Sequence, residues 1–391
     1  MNWQFNSALF DVNCGQNFYQ MADFSQLGIP QDLIKGITEL NIIQPSEIQE
    51  KAIPILVKGA TDFFGQAQTG TGKTAAFGLP LLTHIKPEKE EIQGLILAPT
   101  RELCQQIGKQ LFKFTKYANT RIFVETVYGG APIDEQIKRL QRPTHIVVAT
   151  PGRLMDLLGK KALNIDKVKF FVLDEADEML SMGFKDDMFA VLKTVPQDAG
   201  VWMFSATLPD GVKQIVKTFL KPGFQKLEVE RSQGVNADIT HEYVICHTKD
   251  KLQELNDFLS YRLGERGMIF CQTKRSAQTL NKQLQARNVK VDVIEGDMGQ
   301  RDRDKVMRMF KSKKLDLLIA TDIAARGIDV KDLNFVLHYQ LPQQIEYYTH
   351  RSGRTGRAGQ KGYSILFIHE KERERVYEIA KTLKIQIKAL N

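Results

Sequence analysis

A run of small residues ending in a lysine and a threonine has the composition of a phosphate-binding loop. Its eight residues are Ala67, Gln68, Thr69, Gly70, Thr71, Gly72, Lys73 and Thr74. Small residues let backbone N–H groups approach phosphates, the lysine brings a positive charge to the β- and γ-phosphates, and the threonine hydroxyl can ligate Mg²⁺. The run follows the apolar pair Phe63-Phe64 and opens a helical pattern. It therefore predicts a nucleoside triphosphate site, against the competing interpretation of a chance glycine-rich turn.

An acidic tetrapeptide, Asp174-Glu175-Ala176-Asp177, directly follows the apolar run 170–173. This order places two carboxylates at the tip of a buried strand, beside the phosphate loop. Asp174 would hold Mg²⁺ through water, and Glu175 would orient and deprotonate an attacking water. The pair predicts metal-assisted hydrolysis, whereas a solvated acidic helix start is the alternative.

Short β-branched runs recur along the chain, each followed by a polar turn and then a helical pattern. They cover 62–66, 94–99, 145–150, 170–174 and 201–205 in the first half, and 268–271, 291–294, 315–320, 335–338 and 364–368 in the second. This alternation is typical of parallel α/β units. Ligands of such sheets bind beyond the carboxyl ends of the strands, which is where the unusual polar clusters lie. We therefore predict an α/β protein with two doubly wound sheets.

The domain limits follow from these patterns and from the length. At roughly 150 residues per domain, 391 residues correspond to two or three folding units. We predict a loosely held N-terminal extension over 1–20, a first domain over 21–228, a linker over 229–240 and a second domain over 241–391. The helical pattern over 370–390 has no Gly or Pro terminator, which favours a further C-terminal region.

Composition narrows the class of protein. Hydrophobic residues make up 42% and charged residues 26% of the chain, which excludes a disordered or collagenous protein. Lys plus Arg number 54 and Asp plus Glu 46, so the net charge of +8 favours polyanionic partners. No apolar stretch approaches the roughly 18 residues of a membrane span. The four cysteines contain no Cys-x-x-Cys pair, so we expect reduced thiols and a cytoplasmic location.

Taken in order, these segments resemble the DEAD-box ATP-dependent RNA helicases of superfamily two, with a bacterial-type two-domain core. The resemblance extends from about Phe24 to the C-terminus, and the tetrapeptide at 174–177 carries the family name. It implies two tandem RecA-like domains, each a mainly parallel sheet with helices on both faces. ATP and RNA would bind across the cleft between them.

The resemblance also implies an adenine site. Gln49 matches the adenine-reading glutamine, whose amide can both donate and accept along a base edge. An exposed helical glutamine is the alternative. Phe24 matches too, whereas Ile42 stands where the family usually has an aromatic residue. Apolar contact survives that change, but stacking on the base does not.

The second half would complete the ATP site. Gly327 and Asp329 resemble the segment that reaches ATP, with Asp329 at the ribose. Arg354 and Arg357 match the family's arginine fingers. Such a finger raises kcat by a factor on the order of 10³–10⁵. A solvated basic loop is the alternative interpretation of this arginine-rich segment.

RNA contacts are implied in both halves. They are Pro99, Thr100, Arg101, Gly129, Gly130, Thr150, Pro151, Gly152, Arg153, Gln300, Arg303 and Thr321. Hydroxyls and helix-start N–H groups bind a phosphate backbone without reading bases, so binding should be largely independent of sequence. Ordinary helix capping and turn formation is the alternative. For Arg101 and Arg153, pairing with internal carboxylates is an equal expectation.

Ser205 and Thr207 match the element thought to couple hydrolysis to strand separation, together with Asp177 and His350. A helix N-cap role for this element is compatible with coupling. Gln340 departs from the family, which usually has Asp after the tyrosine, so any interaction made by that charge is lost.

The resulting hypothesis is an ATP-dependent RNA helicase in which RNA-stimulated hydrolysis drives closure of two domains and local, non-processive unwinding. ATP and Mg²⁺ are the expected cofactors and RNA the expected partner, with no membrane. An ATP-gated RNA clamp with little unwinding is the main alternative. A DNA translocase is disfavoured, because the glutamine motif and the tetrapeptide together point to the RNA family.

Overall fold

The computed structural model describes residues 23–59, 61–68, 70–229, 238–246, 251–325, 328, 330, 333–356 and 360–390. The predicted N-terminal extension and most of the predicted linker lie outside these residues. So do four predicted site residues, namely Thr69, Gly327, Asp329 and Arg357.

The first lobe comprises the described residues between 23 and 229. Its elements are α1 (Gln31–Thr38), α2 (Glu47–Leu56), β1 (Phe63–Gln66), α3 (Lys73–His84), β2 (Gly94–Leu97), α4 (Arg101–Phe114), β3 (Val124–Val127), α5 (Ile133–Leu140), β4 (Ile146–Ala149), α6 (Pro151–Gly159), β5 (Phe170–Leu173), α7 (Ala176–Ser181), α8 (Lys185–Thr194), β6 (Gly200–Ser205), α9 (Asp210–Phe219) and β7 (Gln225–Glu228). Its strands form one parallel sheet in the order β3-β4-β2-β5-β6-β1-β7.

The second lobe comprises the described residues between 238 and 390. Its elements are β8 (Ile239–Ile245), α10 (Lys251–Ser260), β9 (Gly267–Cys271), α11 (Lys274–Gln285), β10 (Val291–Ile294), α12 (Gln300–Lys311), β11 (Leu317–Thr321), α13 (Asp322–Ala325), β12 (Phe335–His338), α14 (Ile345–Ser352), β13 (Gly362–Ile368), a 3₁₀ turn (Glu370–Glu372), α15 (Arg373–Leu383) and β14 (Ile387–Ala389). The parallel sheet has the order β10-β11-β9-β12-β13-β8-β14. This is the strand order of the first lobe, so the architecture repeats and the predicted fold class is confirmed.

Each sheet is covered by helices on both faces, and its strands alternate between two cores. In β5, Phe170 and Val172 pack in one core, while Phe171 and Leu173 pack in the other. Strands buried on both faces are apolar at every position. This is why the ten predicted strands are all found. The polar loops that follow β1, β2, β4, β5 and β6 then lie at one edge of the first sheet.

Four further strands, β3, β7, β8 and β14, were not predicted from the sequence. Three of the four β7 residues are exposed, so this edge strand has no apolar run to detect. In β8, buried and more exposed residues alternate, and the predicted linker overlaps its first two residues. These strands are recognisable only by their pairing.

The predicted helix over 370–390 is wrong beyond Leu383. Lys384 adopts a left-handed conformation, with φ of 52°, which ends α15. The chain then turns and forms β14, which pairs with β8. Tertiary pairing therefore overrides the helical pattern. In the described part of the chain, no helix is both long and apolar enough to cross a bilayer.

Candidate ATP site and inter-lobe cleft

The predicted phosphate loop connects β1 to α3 and is braced from α2. The Ser46 hydroxyl donates to the Thr71 carbonyl at 2.7 Å, and Gln49 Nε2 donates to the Gly72 carbonyl at 2.9 Å. Gly72 has φ of 91°, and a Cβ there would lie 2.3 Å from Gln49 Nε2. Glycine is therefore required at 72 both by backbone conformation and by close packing.

Gln49 is almost fully buried, and its Oε1 accepts from the Ser46 backbone N–H at 2.9 Å. Two contacts to the protein leave one amide N–H and one oxygen lone pair for a base. Of the other predicted adenine contacts, Phe24 is buried in the first-lobe core, and Ile42 is half-buried against that core. The structure thus brings Gln49 into direct contact with the phosphate loop.

Beneath the loop, Lys73 Nζ and Asp174 Oδ1 face each other at 4.0 Å. Both residues are buried, and neither of these atoms has a hydrogen-bond partner. Buried charged groups are normally paired and hydrogen-bonded, so this gap is the place where a polar ligand would fit. Burial raises the pKa of Asp174, and the Lys73 charge opposes that rise.

The residues present suit Mg²⁺. Bound with a nucleotide, this ion takes one or two carboxylates, phosphate oxygens and several waters. Asp174 offers an unpartnered carboxylate oxygen, and Thr74 is the second residue of α3, beside Lys73. A carboxylate oxygen and a hydroxyl beside a phosphate loop fit a nucleotide-bound magnesium ion, which does not require an all-protein cage.

Glu175 lies where β5 turns into α7 and has a left-handed backbone, with φ of 55° and ψ of 52°. That conformation is strained for a residue other than glycine, and such strain clusters at functional sites. Burial raises the pKa of Glu175 to about 7, against the opposing charge of Lys73. A carboxyl group with this pKa accepts a proton readily near neutral pH.

Three of the four predicted coupling residues, Asp177, Ser205 and Thr207, form one hydrogen-bonded cluster between the loops after β5 and β6. Asp177 Oδ2 accepts from the Thr207 backbone N–H at 2.8 Å and from its hydroxyl at 2.7 Å. The Ser205 hydroxyl donates to the Thr207 carbonyl at 2.7 Å. The acidic tetrapeptide is therefore tied to the segment 205–207.

The second lobe presents α14 and the loop after it to this site. His350 forms an ion pair with Glu178, the residue next to the tetrapeptide. Arg354 NH1 donates to the Ile328 carbonyl at 2.7 Å, and its charge lowers the pKa of Glu175 against the effect of burial. The structure thus brings Arg354 towards the predicted base. The sequence analysis missed Glu178, although its position next to a predicted catalytic group was a signal.

A cleft of about 1260 Å³ separates the lobes. The phosphate loop lines one wall and the arginine-rich segment lines the other. These wall residues are Gln68, Gly70, Thr71, Gly353, Thr355 and Gly356. The cleft therefore has the contributors that the sequence analysis expected from both halves.

Two predicted RNA-binding arginines form ion pairs across the lobes. Arg303 Nε lies 2.7 Å from Glu102 Oε1, and Arg101 NH2 lies 3.4 Å from Asp304 Oδ2. Arg303 NH2 also donates to the Ala324 carbonyl at 2.7 Å. These guanidinium groups link the two lobes, and Arg101 makes the kind of carboxylate pairing that was given as the alternative to RNA contact.

The other predicted RNA contacts surround strand ends of both lobes. Thr100 caps α4 by accepting from Leu103 N, and Thr150 Oγ1 accepts from Gly129 N at 3.4 Å. Arg153 donates to the Ala131 carbonyl at 3.0 Å and pairs with Asp156. The remaining residues are Pro99, which follows β2; Gly130, in a turn; Pro151 and Gly152, which begin α6; Gln300, which begins α12; and Thr321, which ends β11.

Comparison with known proteins identifies both lobes. The DEAD/DEAH box helicase model matches residues 46–215, and the helicase conserved C-terminal domain model matches residues 250–359. The DEAD-box ATP-dependent RNA helicase CshA of Bacillus cereus is 40% identical over 364 residues, covering 93% of this chain and 69% of the relative. CshA of Listeria monocytogenes is 39% identical, covering 95% and 70%.

Solved structures agree with the sequence matches. Dbp5 of S. cerevisiae, bound to RNA and ADP BeF3, has a TM-score of 0.86 at 33% identity, covering 94% of this chain and 95% of that chain. Mss116p bound to ssRNA and AMP-PNP has a TM-score of 0.84 at 27% identity, covering 95% and 80%. Two matched family models, close relatives over most of the chain and a shared two-lobe fold lead to one conclusion: the chain belongs to the DEAD-box ATP-dependent RNA helicases.

Proposed function

We propose that this chain hydrolyses ATP in response to RNA and uses the closure of its two lobes to separate short RNA duplexes. The observation that carries the proposal is the pair of buried, unpartnered atoms Lys73 Nζ and Asp174 Oδ1, beneath a glycine-rich loop that faces an arginine-rich segment. Relatives named as ATP-dependent RNA helicases support it, as does the likeness to Dbp5 bound to RNA and ADP BeF3.

In the proposed site, the loop from Ala67 to Gly72 surrounds the phosphates, and Lys73 contacts the β- and γ-phosphate oxygens. Gln49 uses its remaining N–H and lone pair on adenine, with Ile42 and Phe24 on the apolar side. Thr74 and Asp174 would hold Mg²⁺, which neutralises charge on the phosphates when bound.

Glu175 then orients the attacking water and takes its proton, because a group with a pKa of about 7 is half ionised near neutrality. Arg354 and Arg357 stabilise the negative charge that develops on the transferred phosphoryl group. Arginine fingers of this kind contribute on the order of 10³–10⁵ in rate, or roughly 4–7 kcal/mol of the barrier. Gly327 and Asp329 would complete the nucleotide contacts, with Asp329 at the ribose.

RNA would lie across both lobes, contacted by the strand-end residues that run from Pro99 to Arg153 in the first lobe and from Gln300 to Thr321 in the second. These groups bind phosphate and ribose, so the site is largely indifferent to base sequence. Because a duplex cannot follow a bent strand path, closure expels one strand. The Asp177–Thr207 cluster links that path to the hydrolytic site.

We place the first domain at 21–228, the linker at 229–240 and the second domain at 241–391. Neither lobe alone holds both the base and the fingers, so turnover requires both. A cytoplasmic location is supported by Cys104, Cys246 and Cys271, which are free thiols buried in the cores.

The deciding experiment measures ATPase activity without nucleic acid, with single-stranded RNA, with structured RNA and with DNA. Stimulation by RNA and not by DNA is expected, and stimulation by DNA alone would contradict the proposal. A strand-displacement assay on a short RNA duplex then distinguishes a helicase from a clamp, since a clamp would bind the RNA without displacing a strand.

A further inference from the structure

Arg351 is one of the most deeply buried charged residues of the described chain, with 1% of its surface exposed. Its guanidinium forms a two-pronged contact with Asp322, in which Nε donates to Oδ1 at 2.5 Å and NH2 donates to Oδ2 at 2.7 Å. The third nitrogen, NH1, donates to the Gln340 carbonyl at 2.8 Å. All three nitrogens are engaged by protein, so Arg351 is not placed to bind a phosphate.

The helix that carries Arg351 makes several directional polar contacts in addition to its apolar packing. Besides Arg351, α14 buries Tyr348, whose hydroxyl lies 2.7 Å from His241 Nδ1, and Ser352, whose hydroxyl lies 2.8 Å from that of Ser364. Hydrogen bonds depend on direction, whereas the hydrophobic effect is non-directional. The rotation of α14 about its axis is therefore set by this polar core.

Gln340 belongs to the same arrangement. Its Oε1 accepts from the Gln272 backbone N–H at 2.8 Å and from the Ser276 hydroxyl at 2.9 Å. Although Gln340 lacks the charge that the family usually has at this position, its side chain anchors the loop between β9 and α11. Its backbone carbonyl anchors Arg351.

The Asp322–Arg351 pair joins two functional segments. Asp322 directly follows Thr321, a proposed RNA contact at the end of β11, and is the first residue of α13. Arg351 lies three residues before Arg354, the proposed arginine finger, with Ser352 and Gly353 between them. A two-pronged contact fixes the relative position of its two partners, so a displacement of the RNA-contacting strand end would reach the finger through it.

We propose that Asp322 and Arg351 are positioning residues that make delivery of Arg354 depend on RNA contact at Thr321. The inference rests on the proposed RNA-stimulated ATPase and adds two residues that touch neither ATP nor RNA. Loss of Arg351 would leave the largely buried carboxylate of Asp322 without its partner, so we expect the two residues to act as a pair.

The test compares Asp322→Asn with wild type in steady-state ATPase assays across RNA concentrations. Since small misplacements of catalytic groups cost up to about a hundredfold in rate, we expect the RNA-stimulated kcat to fall at least about tenfold. The basal rate without RNA, the KM for ATP and the affinity for RNA without nucleotide should stay within about twofold. A merely structural residue would not produce this split between kcat and KM.

Matched variants test whether the Asp322–Arg351 pair causes the loss of RNA stimulation. Asp316→Asn removes a carboxylate at the other end of β11, where Asp316 pairs with Lys290 at 3.9 Å, and should leave stimulation unchanged. Arg351→Lys should reproduce the loss, and the double variant should be no worse than the more damaged single variant. Asp322→Glu, which keeps the charge, should recover part of the stimulation.

A folded Asp322→Asn protein with normal RNA stimulation would overturn the inference, as would a loss confined to ATP or RNA binding. If Asp322→Asn does not fold, the same measurements on Arg351→Lys decide. Wild-type protein without RNA-stimulated ATPase would overturn the proposed function, and the inference with it, so the two failures are distinguishable.

Discussion

The imidazole of His350 in the second lobe forms an ion pair with the carboxylate of Glu178 in the first lobe. Both side chains are largely buried. Burial by itself would lower the pKa of His350, but Glu178, Asp177 and Glu175 together outweigh it and hold the pKa above its ordinary value. Contact between the lobes is therefore linked to the uptake of a proton by His350.

The first prediction concerns the pH dependence of closure. Because the pKa of His350 is raised when the lobes meet, the pair's contribution is fully present below the ordinary value of 6.5 and is lost as pH rises through the raised pKa. We expect RNA affinity in the presence of a non-hydrolysable ATP analogue to weaken as the pH rises above the ordinary histidine pKa of 6.5. Glu178→Gln should flatten this dependence, and an identical slope in that variant would contradict the role of the pair.

The second prediction concerns the proposed base. Glu175→Gln keeps the size of the side chain but cannot take a proton, so ATPase turnover should fall by about 10²–10⁴. Binding of ATP and RNA should persist, measured with a fluorescent nucleotide and a labelled RNA. Near-normal steady-state turnover would refute the assignment of Glu175.

The third prediction follows from the pKa of Glu175. Only the carboxylate accepts a proton, and burial raises its pKa to about 7, so kcat/KM for ATP should rise with pH through about 7. This rise of kcat/KM with pH is opposite to the fall in RNA affinity that we expect from His350. Activity that is flat across neutral pH would show that another group limits proton transfer.

The fourth prediction tests coupling at Thr207. Thr207→Val keeps the shape but removes the hydroxyl that donates to the Asp177 carboxylate, at a cost of about 1.5–3 kcal/mol in stability. RNA-stimulated ATPase should persist while strand displacement falls. Thr218→Val, which removes an exposed hydroxyl that donates within α9, is the control. If ATPase activity and strand displacement fell together, Thr207 would instead act in ATP hydrolysis.

The fifth prediction tests the brace on the phosphate loop. Gly72→Ala adds a methyl group 2.3 Å from Gln49 Nε2, so ATP affinity should fall at least about tenfold. Gly223→Ala provides the matched control, because its φ of 87° carries the same strain of about 1–2 kcal/mol while its Cβ meets nothing within 4 Å. If both variants bind ATP normally, Gln49 does not brace the loop.

Much of the fold could be predicted from the sequence because the central strands are buried on both faces and are therefore apolar throughout. Edge strands such as β7 escaped detection, since an exposed edge needs few apolar residues. The end of α15 escaped as well, because Lys384 leaves the helix only where β14 finds its partner in β8.

For the site, local residue order by itself determined the phosphate loop, the acidic tetrapeptide and the arginine-rich segment, because a loop or turn needs its residue types at consecutive positions. Only the tertiary structure decided which charges meet. Glu178 with His350, Glu102 with Arg303 and Asp322 with Arg351 are distant along the chain. The first two pairings depend on how the two lobes face one another, and the third depends on the long-range strand contacts that bring α13 and α14 together within the second lobe. No local pattern encodes these relations.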